Sequence, residues 1–145
     1  MKKRYQIIIV GGGTAGIMVA SSLMRKNPKL HIGLIEPSES HSYQPAWTMV
    51  GGGTYRYEKT KKPMKSVIPK NVDWIKDKVI GVDADANTVK TADGSELNYE
   101  YLVMAPGLIL DPTLIEGLSE VLGMGVVCSN YTNPEHTWQV IKNFK

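Results

Sequence analysis

The chain has 145 residues, 42% of them hydrophobic, which is about one domain's length with enough apolar content to bury a core. Its formal charge of +3 is spread thinly, 17 basic residues against 14 acidic, and its lysine clusters (Lys2, Lys3 and Arg4; Lys59, Lys61, Lys62 and Lys65) are short solvated runs, which argues against a nucleic-acid binder. A single cysteine, Cys128, excludes an internal disulfide and fits a reducing, cytosolic compartment.

A basic start followed by an apolar run invites comparison with a secretory leader, but three glycines interrupt that run and no small-residue cleavage site closes it. No apolar run is long enough to span a bilayer. Ile7-Ile8-Ile9-Val10 reads instead as a short strand buried on both faces, the usual state of a strand inside a parallel sheet. Gly11, Gly13 and Gly16 follow at once, and Ile17, Val19, Ala20, Leu23 and Met24 then recur at helical spacing until Pro28. Strand, G-x-G-x-x-G and helix in that order form the first βα turn of a dinucleotide-binding fold. Gly11 permits the turn, Gly13 lets the backbone approach a pyrophosphate, and Gly16 lets helix and strand pack closely. The N–H groups at the helix start supply the positive end for the phosphates.

Leu30 to Ile35 reads as a second strand closed by Glu36, twenty residues after Gly16, where the pattern places a carboxylate that accepts from a ribose 2′-hydroxyl. That carboxylate would repel an adenosine 2′-phosphate, so FAD or NAD is favoured over NADP.

The segment from Pro37 to Tyr57 carries Tyr43, Pro45, Trp47 and Met49 before Gly51-Gly52-Gly53, which suits a loop lying over something flat and apolar or packed on its own domain. His41 has no partner at metal-ligand spacing and reads as structural or surface. Lys59 to Pro69 reads as a basic connector without a helix. Val72-Ile75, Lys78-Asp83, Thr88-Thr91 and Glu96-Tyr99, with a hairpin turn at Asp93-Gly94, predict a small antiparallel meander over about 72–99 inserted between parallel strands. Tyr101 to Ala105 reads as another buried strand, and Pro106-Gly107 turns the chain where its carboxyl end faces a nucleotide crevice. Beyond it come a helical turn within 114–122, an extended piece at Gly125 to Cys128, and a last helix with Thr132 or Asn133 as cap and Pro134 at its first position. Stopping straight after that helix, with no final parallel strand, the sequence looks cut rather than completed. The expected organisation is an α/β, Rossmann-like domain over 1–112 and a connector with helix over 113–145 leading to a second domain.

Several runs resemble the sulfide:quinone oxidoreductases, within the two-dinucleotide-domain flavoprotein disulfide reductases. They are Ile9 to Gly16, Ile35-Glu36-Pro37-Ser38, His41-Ser42-Tyr43-Gln44-Pro45-Ala46-Trp47-Thr48-Met49-Val50-Gly51, Ser66-Val67-Ile68-Pro69, Val72-Asp73-Trp74-Ile75 and Tyr99 to Gly107. The glycine motif and the Tyr101 to Gly107 strand occur throughout the wider superfamily, while the Tyr-Gln-Pro-x-Trp-Thr loop is far more specific. The resemblance covers essentially the whole chain, although such enzymes are near three times its length.

The resemblance implies FAD as cofactor, with Gly11, Gly13, Thr14, Ala15 and Gly16 at the pyrophosphate, Glu36 and Pro37 at the adenosine ribose, and Val79 beside the adenine. Pro45 and Trp47 would lie close to the isoalloxazine, with Ala105 and Gly107 on the flavin side. It also implies sulfide as electron donor through a cysteine persulfide, a membrane quinone as acceptor, and a peripheral position on the inner, cytoplasmic face of a membrane. Oligomeric state is left open, a homo-oligomer included. One cysteine cannot make the redox pair, so the 145 residues alone are not expected to turn over. Cys128 matches a position that is cysteine in some members only, and a small apolar filler is the competing reading. Pro106 stands where threonine is common in the superfamily. The rivals are an NADH:quinone oxidoreductase of the same superfamily and a non-catalytic nucleotide-binding module.

Overall fold

The computed structural model describes residues 3–144, so Lys2 of the basic start and Lys145 lie outside the described residues. The chain forms two compact units, Met1–His41 with Pro63–Gly107 and Ser42–Lys62 with Leu108–Lys145. The division is interleaved, whereas the sequence reading split the chain linearly near residue 112.

The first unit is built on β1 (Lys3–Val10), whose last four residues are all buried. β1 runs parallel to β2 (Ile32–Ile35) on one side, with Val10 opposite Ile35, and parallel to β8 (Glu96–Met104) on the other, with Val10 opposite Met104. Between β1 and β2 lies α1 (Thr14–Lys26), a crossover helix that buries Gly16, Ala20 and Met24. Successive side chains of a strand leave on opposite faces. Ile7 and Ile9 therefore pack with Ala20 and Met24 under α1, while Ile8 and Val10 face the other way, where Tyr5, beyond the irregular step at which the Gln6 and Ile7 N–H groups share the His31 carbonyl, joins them with Val89, Leu97 and Tyr99. Truncating a fully buried residue such as Ile8 to Ala would cost about 2–5 kcal/mol.

The remaining strands correct the predicted meander. β5 (Val72–Ile75) is no part of it, since it pairs parallel with β2, Ile32 opposite Val72 and Ile35 opposite Ile75. The antiparallel portion is β6 (Val79–Asp83), β7 (Thr88–Thr91) and the start of β8. Nor are Glu96-Tyr99 and Tyr101-Ala105 separate strands. Nothing between them breaks the run, and one strand of nine residues pairs with β7 at its start and with β1 along its length.

In hydrogen-bonded order the sheet reads β5-β2-β1-β8-β7-β6, so β5 and β6 stand at its two ends although only Lys76 to Lys78 connects them. Four residue steps reach about 14 Å, whereas the edges of a flat sheet of this order would lie about 24 Å apart. The sheet must therefore curl. The meander folds over the face opposite α1, and Ile75 and Val79 meet on one hydrophobic cluster.

β3 (Ser40–Ser42) and β4 (Lys61–Pro63) pair as a two-stranded ribbon where the chain passes from one unit to the other and back. The connector read as helix-free contains a 3-10 turn at Tyr57–Thr60 and the single turn of α3 (Met64–Val67). In the second unit α2 (Trp47–Gly51) packs with α5 (Pro134–Asn143), and Gly53 lies against Trp138, where a Cβ would come within 2.5 Å of ring carbons. α5 starts as expected, with the Asn133 side chain accepting from the His136 N–H and Pro134 at the first position. α4 (Leu118–Val121) is one short turn, and Gly125 to Cys128 is irregular rather than a strand.

Candidate dinucleotide site

The carboxyl ends of β5, β2, β1 and β8 line up through backbone hydrogen bonds. Glu36 N–H donates to Ile75 O at 3.0 Å, Gly11 N–H to Ile35 O at 2.9 Å, and Ala105 N–H to Val10 O at 2.9 Å. β2 and β5 leave β1 on one side and β8 on the other, so the strand order reverses at β1, where open α/β sheets place their ligand crevice. Two turns meet there, Gly11 to Gly16 after β1 and Ala105 to Gly107 after β8.

Gly11 has φ +102°, and a Cβ there would fall well inside contact distance of the Ala105 carbonyl, 2.8 Å from its carbon. A Cβ on Gly16 would strike the Gly11 carbonyl, which keeps the start of α1 tight against β1. Gly13 is the opposite case. Among the described residues nothing lies within 4 Å of where its Cβ would be, and Gly13, Thr14 and Ala15 are all exposed while Gly11, Gly12 and Gly16 are buried. Among the described residues, no protein acceptor receives the N–H groups of Gly13, Thr14, Ala15 or Gly16, the free donors that open any helix. The corner thus offers room and a set of converging donors to an anion.

Glu36 faces that corner. Its Oε2 accepts from Gly12 N–H at 2.7 Å and its Oε1 from Ser38 N–H at 2.7 Å. An ionised carboxylate has about four acceptor positions, so both oxygens keep capacity for hydroxyl donors. Its backbone is clamped as well, since the carbonyl receives the Trp74 indole N–H at 2.8 Å. A 2′-phosphate at this position would meet a carboxylate already held in place. Met64, buried, closes the other side of Gly12, where a Cβ would lie 2.7 Å from Glu36 Cγ and 3.2 Å from Met64 Cε.

The remaining predicted residues are distributed as follows. Pro37 is exposed directly after Glu36, and Gly107 is exposed with φ +77°. Val79 packs on the cluster that contains Val10 and Ile35, the last residues of β1 and β2. Pro45 and Trp47 belong to the second unit. There Pro45 is exposed, while the Trp47 indole is buried, donates to Thr60 Oγ1 at 3.1 Å and meets the Tyr57 ring edge-on. Cys128 is a partly buried free thiol of the same unit.

Residue patterns alone missed Gly12, Ser38, Trp74 and His41. The last, expected to be structural or surface, places Nδ1 at 3.1 Å from the Gly12 carbonyl oxygen. Only Gly12 carried a signal, the unbroken Gly11-Gly12-Gly13 run where the motif demands two glycines.

A parallel sheet that reverses order at β1, with a glycine corner open at its carboxyl edge and an acid from the next strand beside it, is a Rossmann-like dinucleotide-binding unit. Residues 5–139 match the family described as pyridine nucleotide-disulphide oxidoreductase, and the chain belongs to that family. Among similar proteins are the mitochondrial sulfide:quinone oxidoreductases of Dictyostelium discoideum, 44% identical with 100% of this chain and 33% of that protein covered, and of Mus musculus, 38% identical with 99% and 32% covered. The crystal structure of the sulfide:quinone oxidoreductase from Aquifex aeolicus superposes with a TM-score of 0.75 at 30% identity, covering 97% of this chain and 32% of that one. The chain spans about a third of the length of the relatives it matches. Among the described residues no helix is long and apolar enough to cross a membrane.

Proposed function

We propose that these residues form the FAD-binding portion of a flavoprotein that oxidises sulfide and delivers two electrons to a quinone. The observation that carries the cofactor assignment is the Glu36 carboxylate, held at 2.7 Å from the Gly12 N–H beside an open corner of free backbone donors. The sulfide and quinone assignment is supported by identity to sulfide:quinone oxidoreductases along the whole chain.

In this reading the N–H groups of Gly13, Thr14 and Ala15 hold the diphosphate, Gly11 and Gly16 keep the turn closed beneath it, and Glu36 receives ribose hydroxyls with Pro37 alongside. Val79 borders the adenine, while Ala105 and Gly107 flank the flavin side. Bound FAD supplies a two-electron relay, and the protein's part is to place and shield it. Sulfur chemistry of the persulfide kind needs a cysteine pair, and Cys128 is the one thiol here available to contribute to it. Because a quinone acceptor dissolves in lipid, the working protein belongs against a membrane surface, on its inner face.

The test is a visible spectrum of the protein expressed from its whole reading frame. A yellow protein that bleaches on sulfide is the expected result. Bleaching by NADH alone would reassign it as an NADH:quinone oxidoreductase, and a protein that neither copurifies with nor takes up FAD would refute the cofactor assignment.

A further inference from the structure

Gly12 is held at both of its peptide groups. Its N–H, which belongs to the Gly11–Gly12 peptide, donates to Glu36 Oε2 at 2.7 Å. Its carbonyl, which belongs to the Gly12–Gly13 peptide, lies 3.1 Å from His41 Nδ1. A carbonyl oxygen only accepts, so this contact requires the proton on Nδ1. Among the described residues every peptide is trans, and in a trans peptide the C=O and the next N–H point in opposite directions. Fixing the Gly12 carbonyl toward His41 therefore aims the Gly13 N–H away from His41. Among the described residues no protein group accepts that N–H, and the side of Gly13 that would carry a Cβ is open.

We propose that His41 is a positioning residue for the dinucleotide: its Nδ1–H locks the Gly12–Gly13 peptide plane so that the Gly13 N–H is presented to the diphosphate. This rests on the FAD assignment above and adds a residue to it. Glycine is the residue that most needs such a lock. Three in succession leave the backbone more freedom than any other tripeptide, and a peptide flip between Gly12 and Gly13 would replace a donor with a carbonyl dipole facing the phosphate. Glu36 prevents the flip of the preceding peptide and His41 that of the following one. The two side chains come from β2's end and from β3, so the short path from Glu36 to His41 closes a clasp around Gly12. In this arrangement Glu36 has two tasks, gripping Gly12 and receiving the ribose, whereas His41 has only the first.

The experiment measures FAD affinity of wild-type protein, His41→Phe, His41→Asn and Glu36→Ala by fluorescence titration of the cofactor-stripped protein, together with the thermal midpoint of each stripped form. Asparagine can place an amide N–H close to the Nδ1 position, whereas phenylalanine keeps the ring without a donor. The expected result is about tenfold weaker FAD binding in His41→Phe, the scale of one neutral hydrogen bond, with His41→Asn within about threefold of wild type and stripped-form midpoints close to one another. Wild-type affinity in His41→Phe alongside a weakened Glu36→Ala would overturn the role of His41 and leave the FAD assignment standing. Equal loss in His41→Asn and His41→Phe would overturn it too, because the donor would not be the cause. A wild-type protein indifferent to FAD would overturn both. If His41→Phe melts before it can be titrated, His41→Asn compared with His41→Ala decides on the same criterion.

Discussion

Gly13 and Gly16 stand three residues apart in one motif, yet their surroundings predict opposite consequences for adding a side chain. At Gly16 the new Cβ would collide with the Gly11 carbonyl oxygen, lie 3.1 Å from its carbon and 3.3 Å from Ile9 Cγ2. Backbone cannot rotate out of the way, so α1 would have to withdraw from β1 by roughly 1 Å or more to restore ordinary contact separations near 3.5 Å. Strain of that kind costs about 1–3 kcal/mol, partly offset by the better helix propensity of alanine. Gly16→Ala should therefore lower the thermal midpoint by several degrees, at about 2–4 °C per kcal/mol for a chain of this size. At Gly13 the backbone has φ −70° and ψ −174°, a conformation open to any residue, and the Cβ would meet nothing. Gly13→Val should change stability by only about 1 kcal/mol, the scale of losing a favourable cap residue. It should nonetheless abolish flavin retention, because the branched side chain occupies the diphosphate's space and screens donors whose charge-assisted hydrogen bonds are worth about 1.5–3 kcal/mol each. Urea or thermal melts of the stripped proteins, paired with FAD titration, separate the two effects. Full flavin occupancy in Gly13→Val, or an unshifted melt in Gly16→Ala, would refute the assignment of one glycine to the ligand and the other to the fold.

Glu36→Ala should weaken FAD binding by about 1–3 kcal/mol, since ribose hydroxyls and the Gly12 N–H lose their acceptor together; unchanged affinity by titration would remove Glu36 from the site. Trp74→Phe keeps most of the packing but leaves the Glu36 carbonyl without its donor, so a stability loss of about 1 kcal/mol in a urea melt is expected, and none would show that water replaces the indole. Asp93, in the β7–β8 turn, is held down to about 2 by the Thr91 hydroxyl first and by the Ser95 N–H and hydroxyl next. A carboxyl whose folded pKa is depressed stabilises the fold fully above its ordinary value of 3.8 and loses that contribution as pH falls through about 2. Acid unfolding followed by circular dichroism should be flatter across that window in Asp93→Asn, and an unchanged profile would show the turn to be irrelevant to acid stability.

What could be read from residues alone was what depends on neighbours in sequence. Gly11, Gly13 and Gly16 lie within one turn, and Glu36 follows the next strand, so spacing alone pointed to the corner where the structure brings the four together. β5 was misjudged because its four half-buried residues carry no mark of their partner, and nearness to β6 suggested a hairpin. The deciding signal was connection length, since a parallel neighbour needs a long crossover and the segment from β2 to β5 supplies one. That misjudgement hid part of the site. Only when β5 lies beside β2, with Ile75 opposite Ile35, does the Trp74 indole reach the Glu36 carbonyl, 38 residues away in sequence. His41 and Met64 escaped for a similar reason, as they meet Gly12 through the ribbon of β3 and β4 and the turn that follows. In the proposed site the glycine motif thus supplies the freedom a diphosphate would require, and residues with no motif of their own would remove the part of that freedom that turns the donors away.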